Sequence, residues 1–143
     1  MVRQTITDVT IELHVPNFQL AEEFYGHLGF KIVWEVEPEG QKGYIVMKRE
    51  KSYLCFFCGN GEVYDHSYFK KFPKYSKRGY GVEISIPVQN IDKYYQEAYP
   101  FIKDNVVEPL EMKPWGKREF RVEDPNGFYV KFTDPVDLDS KDY

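Results

Sequence analysis

The chain has 143 residues, and 19 Lys and Arg stand against 23 Asp and Glu, a formal balance of −4. That length predicts one compact domain with a real core, and the acidic balance argues against nucleic acid as a partner. Aromatic residues make up 17% of the chain, which excludes disorder, and no apolar run reaches the ~20 residues of a membrane span.

The opening MVRQTITDVTIELHV carries one Arg and no apolar export core. A reduced, cytoplasmic protein is therefore the expectation. Val9, Ile11, Leu13 and Val15 alternate with Thr10, Glu12 and His14, the pattern of a half-buried strand. Phe18, Ala21, Phe24, Tyr25 and Leu28 then follow the helical period, with Asn17 placed to cap the start and Gly29 to stop it. Strand-like stretches follow at 31–36, 43–48 and 52–58. The last contains Cys55 and Cys58, a C-x-x-C. Residues three apart on a strand point to opposite faces, and no second Cys or His pair stands at zinc spacing. Two packed core thiols are the better reading.

Residues 59–80 differ in composition. Lys70, Lys71, Lys74, Lys77 and Arg78 interleave with Tyr68, Phe69, Phe72 and Tyr75. Basic and aromatic residues together suit single-stranded nucleic acid, but the negative balance favours a solvated connector with ring anchors. His66 lies in this connector and His27 at a helix end, and neither is placed for catalysis.

The second part of the chain repeats the first. At an offset of 73, Val9 meets Val82, Ile11 meets Ile84, Leu13 meets Ile86, Val15 meets Val88 and Asn17 meets Asn90. Asn90 should cap a helix through Ile91, Tyr94, Tyr95, Ala98 and Phe101 that stops near Pro100. Strands are expected at 105–108, 117–123 and 128–133. Between the last two, Glu123-Asp-Pro-Asn-Gly127 is a hairpin signal, because Pro sets one turn dihedral and Asn-Gly accepts positive φ. The organisation is a repeat at 8–58, a linker at 59–80, a repeat at 81–135 and an acidic tail at 136–143 expected to fray.

Each repeat reads β-α-β-β-β, so the fold class is α+β, with two curved mixed sheets expected around an open trough. Strand phase assigns Ile11, Leu13, Ile84, Ile86, Val130 and Phe132 to the helix-covered faces. It assigns Thr10, Glu12, His14, Cys55, Phe57, Glu83, Ser85, Tyr129, Lys131 and Thr133 to the trough. Trp34 and Trp115 add rings near it. Such walls hold planar or cationic groups by stacking and cation–π contact, and Glu12 and Glu83 can hold a cation. His14 is a candidate base only with an orienting partner, for which Glu12 is placed.

The paired βαβββ units, FYGHLGF at 24–30 and VEDPNGFYVKF at 122–132 resemble the vicinal oxygen chelate superfamily over about residues 8–135. That superfamily contains glyoxalases, extradiol dioxygenases, and fosfomycin- and bleomycin-resistance proteins. The stretch GKREFRVEDPNGFYVKFTD at 116–134 is most similar to the bleomycin-resistance proteins. The resemblance implies four metal-ligand positions, which here hold Thr10, Cys55, Glu83 and Lys131. A charged ammonium has no lone pair to give a metal, so no metal, cofactor or catalytic residue is expected. Lys131 is expected to stand where an ion would and to neutralise Glu83. The resemblance further implies a homodimer whose crevices take a small ligand. The expected function is sequestration of a planar, cationic, bleomycin-type glycopeptide, with Glu12, His14, Trp34, Phe57, Glu83, Trp115, Tyr129 and Lys131 contacting it. Two alternatives stay open: a metal-dependent glyoxalase- or dioxygenase-like enzyme using an irregular set such as Glu12, His14 and Glu83, and a binding domain for another metabolite.

Overall fold

The computed structural model describes residues 9–36 and 42–139. They form two compact units, which divide between Ser76 and Lys77. In the first, β1 (Glu12–Val15), α1 (Gln19–His27), β2 (Lys31–Val36), β3 (Gly43–Arg49) and β4 (Ser52–Cys58) precede two short 3₁₀ turns, Gly61–Asp65 and Phe69–Lys71. The strands form one sheet in the order β1-β4-β3-β2, with β1 and β4 parallel. In the second unit, β5 (Glu83–Pro87), α2 (Ile91–Ile102), β6 (Val106–Met112), β7 (Arg118–Glu123) and β8 (Tyr129–Thr133) form a sheet in the order β5-β8-β7-β6, again with the first and last strands parallel. The two expected βαβββ repeats are therefore present with one shared topology.

Helix α1 forms where its apolar stripe recurs. Asn17 accepts a hydrogen bond from the Leu20 N–H through Oδ1 at 3.3 Å, as a cap does. The end is a Schellman closure, in which Phe30 N–H donates to the Tyr25 carbonyl at 3.0 Å and Gly29 N–H to that of Gly26 at 3.1 Å. Gly29 sits at φ +86, which explains the glycine. Ala21, Phe24, Tyr25 and Leu28 are buried, and the Tyr25 ring packs 5.7 Å from that of Phe56 on β4. In the second unit Tyr94 and Tyr95 of α2 lie over Phe120 and Phe132, which stack on each other at 4.9 Å. These rings pack among buried Ile84, Ile86, Val130, Ala98 and Ile102.

Helix α2 does not stop at Pro100 but runs to Ile102. Pro100 falls in the last turn and removes one helical hydrogen bond there, and a 3₁₀ turn at Lys103–Asn105 follows. Asn90 precedes α2 as expected, but its side chain makes no cap hydrogen bond. Its backbone is left-handed at φ 52, and capping needs an extended backbone to aim the side chain at the first N–H groups. The hairpin at 123–129 is tied by Asp124, whose Oδ1 accepts from the N–H groups of Asn126 and Phe128 at 2.9 Å each. Gly79 packs so tightly there that a Cβ would lie 2.7 Å from the Phe128 Cα.

Strand β6 is longer than the expected 105–108. It is an edge strand, and its pairing with β7 shifts register between Glu108 and Glu111, around Pro109. Leu13, Ile84, Ile86, Val130 and Phe132 are buried as their phase predicts, but Ile11 is 38% exposed and lies outside the core. It stands ahead of the strand's paired residues. Cys55 and Thr133, assigned to the trough, are buried. Both thiols are free and buried, which agrees with the reading of C-x-x-C as core packing. The end of the tail, residues 140–143, lies outside the described residues.

Candidate functional site

Each sheet has one face covered by its own helix and a second face whose chemistry is distinct. On the first, the register places Glu12 beside Cys55 and His14 beside Phe57, with Val46 and Tyr44 next across on β3. Trp34 joins them because β2 bulges between Ile32 and Trp34, pairing Trp34 with Val46. Without the extra residue Trp34 would follow the parity of Ile32 and point toward the helix. The bulge thus creates a row of rings. Trp34 lies 5.7 Å from Tyr44, Tyr44 6.4 Å from Phe57, and Phe57 5.3 Å from His14. The row continues into the connector, where His66 and Phe69 stand 4.9 and 5.0 Å from His14.

The polar group beside this row is Glu12, at Tyr44. Its carboxylate accepts a hydrogen bond from the Tyr44 hydroxyl at 2.8 Å. Burial, then the bond to Glu12, pushes the Tyr44 phenol far above its ordinary range. Burial also raises the Cys55 thiol, although its contact with Tyr44 acts the other way. A thiol raised in this way is a poor nucleophile and a poor ligand. Four sequence-predicted residues, Glu12, His14, Trp34 and Phe57, therefore share one face. Tyr44, which links them, was not predicted, although its place on an alternating strand beside Val46 was a usable signal.

The corresponding face of the second unit is ionic. Arg121 donates from Nε to Glu83 at 2.7 Å, and its Nη2 lies 3.0 Å from Glu119, with Glu108 at 3.5 Å. The cation that meets Glu83 is thus Arg121, not Lys131 as expected. The reason is register: Arg121 and Lys131 are partners on β7 and β8, and the guanidinium's several donors serve three carboxylates where an ammonium offers a point charge. Burial works against the Arg121 charge, but its hydrogen bond to Glu83 and the charges of Glu83 and Glu119 raise its pKa overall. Glu119 is 1% exposed and also accepts from Thr133 Oγ1 at 3.1 Å and from Trp115 Nε1 at 3.4 Å. Lys113 binds Glu108 at 3.0 Å, and this bond, followed by the Arg121 charge, holds the Glu108 carboxyl below its usual range. Tyr129 donates to Glu108 at 3.4 Å, and burial raises its phenol. Trp115, 48% exposed, sits in the β6–β7 hairpin.

The second face therefore gathers Glu83, Trp115, Tyr129 and Lys131, and adds Arg121, Glu119, Glu108 and Lys113. A buried Glu is the least legible of these, since sequence phase marks a position and not the cation that satisfies it.

The residues at the family's metal-ligand positions do not suit a divalent ion. Cys55 is a buried thiol engaged by Tyr44, Glu83 is held by Arg121, and Lys131 is an ammonium. Among the described residues, no group of three or more His, Cys, Asp or Glu is placed to hold a metal. No helix among them is long and apolar enough to cross a membrane.

The duplicated sheets and their facing helices define an α+β fold of the glyoxalase type. The family profile of the Glyoxalase/Bleomycin resistance protein/Dioxygenase superfamily matches residues 9–132, and the chain belongs to that superfamily. A protein of unknown function from Agrobacterium tumefaciens is similar in structure, with a TM-score of 0.66 at 20% identity, over 94% of this chain and 98% of that one. A bleomycin-binding protein complexed with bleomycin superposes with a TM-score of 0.61 at 18% identity, over 91% and 99%. A glyoxalase family protein from Enterococcus faecalis does so at 0.57 and 20%, over 90% and 98%. No curated protein matches the chain significantly.

Proposed function

We propose that the protein binds a planar, cationic small molecule and sequesters it, making and breaking no bond. The observation that carries this is the unbroken row Trp34, Tyr44, Phe57 and His14, with the Glu12 carboxylate held beside it by the Tyr44 hydroxyl. Flat rings stack on such a row while a cation meets the carboxylate. The ligand class is the bleomycin-type glycopeptide, which joins a flat bithiazole to a cationic tail. Similarity to a bleomycin-binding structure supports this choice. The second unit carries Trp115, Tyr129 and the acidic Glu83 edge on its own face, and the family resemblance implies a homodimer with ligand crevices. No resident metal takes part, because the donors at the family positions are a thiol, a salt-bridged carboxylate and an ammonium.

Calorimetric titration with metal-free bleomycin tests the proposal. Saturable binding that weakens at least tenfold in Trp34→Ala and in Trp115→Ala supports it. A ligand present at about 100 times its dissociation constant should add about 2.7 kcal/mol of stability. Absence of any thermal shift with bleomycin-type drugs would move the assignment to a binding domain for another metabolite. One tightly held transition metal per chain on elemental analysis would overturn the metal-free reading.

A further inference from the structure

His66 lies in the connector, outside both sheets, yet its ring is the closest partner of His14 in the row. Its environment fixes its chemistry. The His66 Nδ1 accepts hydrogen bonds from the backbone N–H groups of Tyr68 and Phe69, at 3.0 and 3.2 Å. The opposite ring flip would aim a C–H at both donors, so the ring orientation follows from the backbone. A nitrogen that accepts two N–H bonds carries a lone pair and no proton. The proton of the neutral ring then resides on Nε2.

Two consequences follow. Nε2–H has no lone pair to offer, so this imidazole is not a metal ligand as it stands, although two histidine rings 4.9 Å apart invite that reading. It is instead a hydrogen-bond donor, and among the described residues Nε2 donates to none of the side chains around it. Its ring is half-buried and lies 4.6 Å from Phe69, tilted by 34°. The same two backbone bonds hold the turn that carries Phe69 against His14. The connector thereby adds an oriented donor to a face otherwise made of rings and a carboxylate.

We propose that His66 is a specificity-determining residue of the first unit's face, and that this face selects a planar heteroaromatic group bearing a hydrogen-bond acceptor on its ring edge together with an amine. The acceptor meets His66 Nε2–H, the plane lies against the ring row, and the ammonium meets Glu12. This rests on the reading of that face as the ligand surface. Rings alone would not separate a heterocycle from a hydrocarbon of the same shape, whereas a donor that the bound ligand covers does, because a hydrocarbon leaves it unsatisfied.

A matched pair of probes tests this: 4-(aminomethyl)quinoline, with a ring nitrogen acceptor, and 1-(aminomethyl)naphthalene, of the same shape without it. Binding is followed by quenching of tryptophan fluorescence. The quinoline should bind roughly five- to tenfold tighter. His66→Asn keeps an acceptor for the Tyr68 and Phe69 N–H groups and removes the donor at the Nε2 position, which its shorter amide does not reach. His66→Phe keeps a ring and removes both. The ratio between the probes should fall to near one in each variant, whatever happens to the absolute affinities. Nitrogen-15 spectra of the histidine-labelled protein above neutral pH, with the His66 signals assigned by their loss in His66→Asn, should show a neutral ring protonated at Nε2.

Equal binding of the two probes by the native protein, or an unchanged ratio in both variants, overturns the role of His66 and leaves the ring row standing as a ligand surface. A ring protonated at Nδ1 does the same. Failure of both probes to bind overturns the ligand surface itself, and His66's role with it.

Discussion

The two units are built on one strand order and one pairing register, and they differ almost entirely on one face. The register equates Phe56 with Phe132, Leu13 with Ile86, Ile45 with Phe120 and Leu54 with Val130. All eight side chains are buried. On the other face the same register equates Tyr44 with Glu119, Val46 with Arg121, Cys55 with Lys131 and Phe57 with Thr133. A helix-covered face must fill volume with apolar atoms, so it tolerates only exchanges among them. The other face answers to hydrogen bonding and charge, and each unit satisfies these differently. The first uses a neutral phenol on one carboxylate. The second surrounds one guanidinium with three.

That contrast is best broken at Arg121. Arg121→Met should destabilise the protein by about 3–5 kcal/mol, because it strands the buried Glu119 and removes the cation from Glu83 and Glu108. Chemical denaturation measures it, and a cost below about 1 kcal/mol would show that the ionic face does not depend on its single guanidinium. The counterpart change in the first unit, Tyr44→Phe, removes one neutral donor to a carboxylate. It should cost only about 1 kcal/mol in the same measurement.

Acid should separate the faces as well. The folded Glu108 carboxyl titrates below its ordinary value, chiefly through Lys113. Its contribution to stability is therefore complete above the unfolded value and is lost as pH falls through the lowered folded value. Thermal melts taken from neutral pH down through the carboxylate range should lose stability in that window. Glu108→Gln should flatten the dependence. An unflattened curve would place the acid sensitivity elsewhere.

The smallest expected effect lies at the helix starts. Asn17→Ala should cost about 0.5–1 kcal/mol, since its side chain caps α1. Asn90→Gly should be neutral within error, because at φ 52 the position needs backbone freedom and not a capping side chain. Equal losses at the two sites would contradict the difference between the caps.

Alternation and the helical period were enough to place nearly every element and the duplicated topology, because burial writes its period directly into the residues of each strand and helix. They also placed Glu12, His14 and Phe57 on one face, and Glu83, Tyr129 and Lys131 on another. What they could not supply was anything that depends on a neighbour distant in the chain. The bulge that turns Trp34 onto the ring row exists only in the pairing of β2 with β3. Arg121 rather than Lys131 meets Glu83 because side-chain reach across three strands decides it. His66 read as linker, since nothing local to it reveals that His14 lies 4.9 Å away. Local pattern determined the two sheets, and motif resemblance pointed to the family; tertiary contact alone decided which residues act together, because partnership depends on distances that no sequence period encodes.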